Sequence, residues 1–176
     1  MKETMQAIRD RRSCRAYKSE QITEAELQTV LEAAVLAPSA RNLQPRHITV
    51  VQNKELLEEL NAQIMPLMGK MPTDYHIFHR APTVLVLSAD KNSRWKKEDI
   101  GILSENICLA AESIGLGTCL LGRPQDLLET PEGQSWLPRL DVPDGYETVL
   151  MVSLGYPATE EIPAKPRNFD VVSYIR

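Results

Sequence analysis

Two guanidiniums and a hydroxyl alternate along Arg11, Ser13 and Arg15, within the run Arg11-Arg12-Ser13-Cys14-Arg15. In an extended segment, residues at i, i+2 and i+4 point to one side. A guanidinium is planar, permanently charged and matched to phosphate oxygens, so this spacing fits capture of one phosphate. Each charge-assisted hydrogen bond contributes roughly 1.5–3 kcal/mol, enough together to hold a phosphorylated cofactor. On a helix the same side chains would splay apart, and a solvated basic segment has the same composition. A second polar cluster, Pro38-Ser39-Ala40-Arg41-Asn42-Leu43-Gln44-Pro45, cannot continue a helix through its prolines. The Asn42 and Gln44 amides both donate and accept. They suit a heterocycle edge or polyol hydroxyls, or equally a loop that bonds its own backbone. A third basic pair, Lys165 and Arg167, lies near the C-terminus.

These basic groups stand out because the chain is acidic, with a formal net charge of −4. That balance disfavours a general nucleic-acid binder, whose phosphate contacts need a basic face. The 176 residues fit one domain, with 158–176 as an extended Pro-rich tail. No apolar run approaches the ~20 residues that span a bilayer, and the first residues lack a secretory apolar segment. The expectation is a cytoplasmic protein with no membrane partner. Cys14, Cys108 and Cys119 show neither metal-ligand nor CxxC spacing. They read as free thiols, and no metal is expected. The absence of GxGxxG and GxxxxGK[ST] disfavours a Rossmann or P-loop site.

The elements that must position these residues are mixed. Thr4 to Asp10 reads as a short helix. Thr23 with Glu26 forms a capping box before a helix carrying Leu27, Val30, Leu31 and Ala34, which Pro38 stops. His47–Val51 is β-branched and reads as a strand. Asn53 caps a helix through Leu57, Leu60 and Ile64. Residues 65–79, rich in Pro and Met, read as a loose loop. The unbroken apolar run Thr83–Ser88 predicts a strand buried on both faces. Asp99–Ile114 predicts a long helix ended by Gly115. Thr118–Gly122 and Thr148–Leu154 read as strands, with short helical turns between Asp126 and Leu140.

Taken together, four blocks resemble the nitroreductase family of FMN-dependent oxidoreductases. They are Arg11-Arg12-Ser13-Cys14-Arg15-Ala16-Tyr17, Pro38 to Pro45, Glu105 to Ala111 running through Gly115 to Gly122, and Ser153-Leu154-Gly155-Tyr156-Pro157. Their order and separations match across nearly the whole chain. The resemblance implies an α+β fold with a central mixed β-sheet flanked by helices, in an intertwined homodimer with two FMN sites at the interface. It places Arg11, Ser13 and Arg15 at the FMN phosphate and ribityl chain, with the adjacent Arg12 counted among the cofactor-binding residues. Asn42 and Gln44 fall at the ribityl and ring edge. Leu120, Leu121 and Gly122 fall beside the flavin near N5, and Lys165 and Arg167 match basic residues that return to the phosphate.

The implied activity is transfer of a hydride from NADH or NADPH, through flavin N5, to a nitroaromatic, quinone or similar small oxidant by a ping-pong mechanism. Relatives of this kind also reduce enones, dehalogenate aromatics or fragment flavin, and a non-catalytic FMN storage or sensing protein is a further alternative. No dedicated catalytic side chain is required, because the cofactor carries the chemistry. Arg41 and Lys70 are expected to attract an anionic substrate, and Tyr75 and Phe78 to line the mouth of its site. His47 reads as structural, and His76 and His79 lie in or beside the mobile loop. Arg46 stands where the family often has an aromatic, Leu120 where it often has Trp, and Tyr17 replaces the usual Phe.

Overall fold

The computed structural model describes residues 1–159 and 163–176. Six α-helices occur among them: α1 (Thr4–Asp10), α2 (Glu24–Val35), α3 (Lys54–Ile64), α4 (Lys96–Ser113), α5 (Gln125–Leu128) and α6 (Trp136–Arg139). Four strands, β1 (Arg46–Val51), β2 (Thr83–Asp90), β3 (Gly117–Leu121) and β4 (Tyr146–Gly155), form one sheet in the order β1-β2-β4-β3. Every neighbouring pair of these strands runs antiparallel. The parallel component expected of a mixed sheet is confined, among the described residues, to the single bridge between Ser13 and Thr118.

Local chemistry starts the helices where the sequence predicts. The Thr23 hydroxyl accepts from the Glu26 amide while the Glu26 carboxylate accepts from the Thr23 amide. The Asn53 side chain accepts from the Leu56 amide and starts α3. The helix α4 begins at Lys96, three residues before the expected Asp99. Asp99 therefore sits inside the first turn, free to bond elsewhere.

Both faces of the sheet are covered. Val84 and Val86 of β2 face α3 and the short helices, in a core with Leu60, Ile64, Phe78, Leu121 and Met151. Leu85, Leu87 and Ala89 face α2 and α4, in a core with Val30, Leu103, Ile107 and Val152. This two-sided burial explains the unbroken apolar run of β2. Two glycines admit the N-terminal segment against the sheet. A Cβ on Gly117 would lie 2.7 Å from the Cys14 Cβ, and one on Gly155 would lie 2.8 Å from Pro82 Cδ and 3.1 Å from Tyr17 Cδ1. Residues 163–176 contain no helix or strand and lie exposed, including Phe169, Val172, Tyr174 and Ile175. Among the described residues, no helix is long and apolar enough to cross a membrane.

Candidate functional site

Ser13 bridges to Thr118, and the Cys14 amide donates to the Thr118 carbonyl at 2.8 Å, so residues 11–15 run extended along the start of β3. Cys14 turns inward and is buried. The alternation then places Arg11, Ser13 and Arg15 together on the other side. Both guanidiniums also lie near the Cys119 thiol. Burial pushes its pKa up, and both Arg15 and Arg11 are near enough to oppose that rise.

The donors of this cluster are largely unspent. Among the described residues Arg11 reaches only the half-exposed Glu105 carboxylate, at 3.9 Å, and Arg15 donates only to the Ser13 carbonyl, at 3.4 Å. Among the described residues the Ser13 hydroxyl has no hydrogen-bond partner (its carbonyl accepts from Arg15). An open pair of guanidiniums flanking a free hydroxyl fits an anion with several oxygens.

Arg12, expected among the cofactor-binding residues, is a correction: it does not join them. Its guanidinium donates to the carbonyls of Arg9 at 2.6 Å and Arg11 at 2.9 Å. With Cys14, Lys2 and Glu112 it lines a separate cavity of about 600 Å³ on the opposite side of the segment. Alternation explains the outcome: Arg12 has the parity of Cys14, not of Ser13.

The second cluster is shaped by backbone strain. Arg41, Asn42 and Gln44 hold φ of 54°, 54° and 51°, a region that L-residues other than Asn and Asp rarely adopt. Three bonds involving side chains help to fix the loop. The Gln44 amide donates to Ser39 Oγ at 2.9 Å, the Gln44 side chain donates to Asn42 Oδ1 at 2.7 Å, and the Ala40 amide donates to Asp99 Oδ1 at 3.0 Å. Asp99 is a positioning residue that sequence reasoning missed, since an acidic residue near a helix start reads as a cap. It is buried, and its Oδ2 has no partner. Replacing it with Ala leaves the Ala40 amide unpaired, a loss of roughly 1–3 kcal/mol. Asp99→Ala is expected to lower the melting temperature and to speed amide exchange at Ala40–Gln44 relative to the sheet.

Arg46, the departure after the second cluster, is structural. It donates to the carbonyls of Val35, Ala37 and Pro38 at 2.6–3.3 Å and closes the C-terminal end of α2. Arg41 and Lys70 are exposed. Tyr75 is half-buried and borders a cavity shared with Arg15 and His79. Phe78 is a correction: its side chain is 0% exposed inside the core below β2 and β4 and lines no mouth. The β3 residues differ among themselves. Leu120 is exposed, Leu121 is buried, and Gly122 has open space where a Cβ would stand. Together they offer backbone and a small flat surface at the sheet edge.

Within one chain the two polar clusters stay apart. Arg46 pairs with Ala89 at one end of β2, whereas Thr118, through Leu154, lines up with Thr83 at the other. Strand rise and spacing put the clusters roughly 20 Å apart along the sheet and three strands apart across it. Folding alone therefore does not join them. Lys165 and Arg167 lie in the exposed tail, and among the described residues neither forms an ion pair.

Comparison with known proteins gives a consistent pattern. The profile described as the Nitroreductase family matches residues 8–156. A protein of Archaeoglobus fulgidus, provisionally named NADH dehydrogenase/NAD(P)H nitroreductase, is 34% identical over 169 residues, covering 92% of this chain and 89% of that one. A nitroreductase with bound FMN from Bacteroides fragilis superposes with a TM-score of 0.90 at 29% identity, covering both chains fully. Another with bound FMN, from Desulfitobacterium hafniense, gives 0.88 at 31% identity, again over 100% of each chain.

Proposed function

Because the chain belongs to the nitroreductase family, we propose that it is an FMN-dependent oxidoreductase that draws on NADH or NADPH to reduce a small oxidant, such as a nitroaromatic or a quinone. The observation that carries this reading is the unspent pair Arg11 and Arg15 flanking Ser13 on one side of an extended segment. Arg11, Ser13 and Arg15 hold the phosphate and ribityl chain of FMN. Leu120, Leu121 and Gly122 form the flat wall for the ring. When bound, FMN would supply the hydride-transfer chemistry at N5, with donor and oxidant reacting in a ping-pong order. The protein contributes binding, orientation and fixed dipoles toward the ring edge where charge develops.

Asn42 and Gln44 reach the same cofactor from a second copy of the chain. Their distance from Arg15 within one chain supports a homodimer with sites shared between subunits. So do the exposed apolar side chains of α1, α4 and the tail, among them Met5, Ile8, Ile102, Phe169 and Tyr174. Lys165 and Arg167, on that tail, return to the phosphate in such an assembly. The three thiols are buried and unpaired, which supports a reducing, cytoplasmic setting.

The test is optical. The purified protein is expected to be yellow, and anaerobic NADH or NADPH is expected to bleach it, with colour restored by a nitroaromatic or quinone. A protein that takes up no FMN sinks the reading. Bound FMN that neither donor bleaches leaves a flavin carrier, not an oxidoreductase.

A further inference from the structure

His76 is buried where the turn from Tyr75 to Arg80 meets α3. Its two ring nitrogens have partners of opposite kind. The Phe78 amide donates to Nδ1 at 3.2 Å, and Nε2 faces the Glu58 carboxylate of α3 at 3.4 Å. A ring nitrogen that accepts from an N–H carries no proton, and one that faces a carboxylate carries one. The two contacts therefore select one neutral tautomer, with the proton on Nε2. A second proton has only Nδ1 to go to. There it meets the Phe78 N–H, donor against donor. The imidazolium and the bonded turn exclude each other.

The turn is held in a strained shape. His79 and Arg80 are consecutive and both left-handed, with φ of 55° and 56°. Such residues persist where surrounding contacts over-determine them. Besides the His76 ring, those contacts are few. The Ile77 amide donates to Asn61 Oδ1 at 2.9 Å, the His79 amide to the His76 carbonyl at 2.8 Å and the Ala81 amide to the Phe78 carbonyl at 3.0 Å. Loss of the Nδ1 acceptor leaves a buried amide unpaired, which is costly. Opening the turn to water relieves that amide and the backbone strain together, while the Phe78 ring stays anchored in the core.

The charged groups around the ring set the direction. Burial holds His76 below the ordinary histidine range, Glu58 from α3 opposes this, and Arg80 from the turn adds to it. A group depressed in the folded state contributes stability that is complete above its unfolded value, about 6.5 for histidine, and is lost as pH falls below it. His79 is lowered too, by burial, then by Arg15 from the N-terminal segment, then by His76. Its ring meets Tyr75 edge-on at 5.9 Å and, among the described residues, makes no hydrogen bond, so its protonation breaks none. Asp74 completes the rim.

We propose that His76 is a pH-sensitive latch beside the cofactor site: neutral, it ties down the Tyr75–Arg80 turn across from Arg15, and protonated, it releases that turn. The turn and Arg15 border one open cavity of about 360 Å³, so release loosens the wall opposite a phosphate-binding guanidinium and speeds loss of FMN in acid. That consequence rests on the flavin reading above. The latch itself rests on the two contacts of the His76 ring.

Amide exchange of Phe78, corrected for its intrinsic rate, is measured on the protein as purified at roughly pH 7.5 and pH 5.5, either side of the ordinary histidine value. An open state that takes up a proton at about 6.5 is promoted about tenfold one unit lower, so Phe78 protection is expected to fall about tenfold in acid while Val84 and Val86 of β2 hold. His76→Asn offers Oδ1 to the same amide without titrating, and its Phe78 protection should be equal at both pH values. Glu58→Gln removes the charge that favours the imidazolium, so the midpoint should move to lower pH. FMN release from the wild-type holoprotein should speed in acid by up to the same factor relative to His76→Asn, in which the flavin phosphate titrates alike. Phe78 protection that ignores pH in the wild type overturns the latch. So does an equal loss in His76→Asn, or a midpoint that Glu58→Gln does not move. Equal FMN release from the two proteins overturns its role beside the cofactor. A colourless wild-type protein overturns the flavin reading instead, and Phe78 exchange still decides the latch.

Discussion

The double variant Arg11→Ala/Arg15→Ala is expected to purify colourless, with FMN affinity reduced roughly 10²–10⁴-fold. Each charge-assisted contact to the phosphate contributes roughly 1.5–3 kcal/mol, and each ~1.4 kcal/mol is a factor of ten in a dissociation constant. The fold has little stake in either side chain. Arg15 is exposed and bonds one neighbouring carbonyl weakly, and among the described residues Arg11 reaches one carboxylate, at 3.9 Å. An exposed ion pair of that length contributes at most ~1 kcal/mol. The melting temperature of the apoprotein should therefore stay close to that of the wild-type apoprotein while flavin absorbance disappears. Fluorescence titration with FMN reads the affinity, and thermal unfolding supplies the control. Affinity within a factor of three of wild type would remove these residues from the cofactor site. Arg12→Ala is the internal comparison. Its Nη1 donates to the Arg9 and Arg11 carbonyls on the far side of the segment, so it should lose far less FMN than the double variant.

The contrast between Arg12 and its neighbours shows how far residues alone can be read. Alternation along an extended segment is a local rule, and it already pairs Arg11, Ser13 and Arg15; that Arg12 turns away is what the structure adds. The capping box at Thr23 and the Asn53 cap are equally local, and both helices start where those signals stand. The two-sided burial of β2 is legible from its uninterrupted apolar run. What eludes the sequence is long-range. The order β1-β2-β4-β3 sends the 38–45 loop and the 11–15 segment to opposite corners of the sheet, and no spacing rule contains that order. Asp99 is similar: its role depends on the Ala40 amide, 59 residues away in the chain. The strained pair at His79 and Arg80 is hidden for another reason. Neither residue is Gly or Asn, so composition gives no hint of left-handed backbone.

Phe78 is where an aromatic beside a loose loop misleads, and its replacement is expected to act on stability and not on substrate affinity. The ring is 0% exposed and packs in the core with Ile64, Val84, Val86 and Met151. Truncating a buried Phe to Ala costs about 3–5 kcal/mol, a large part of a typical total of ~5–15 kcal/mol. For a chain of this size each kcal/mol shifts the melting temperature by roughly 2–4 °C, so Phe78→Ala should melt roughly 6–20 °C lower. The backbone has its own tie: Ser153 Oγ donates to the Phe78 carbonyl at 3.0 Å. That bond survives truncation and keeps the turn in place, so the effect reports the ring alone. If Phe78→Ala falls below the folding threshold, Phe78→Leu keeps the question open to measurement. It retains most of the volume and should cost less than ~1.5 kcal/mol. A side chain that lined a substrate mouth would behave oppositely, raising KM for the oxidant at an unchanged melting temperature. Thermal unfolding and steady-state kinetics on the same two variants separate these outcomes. The core assignment fails if KM moves while stability does not.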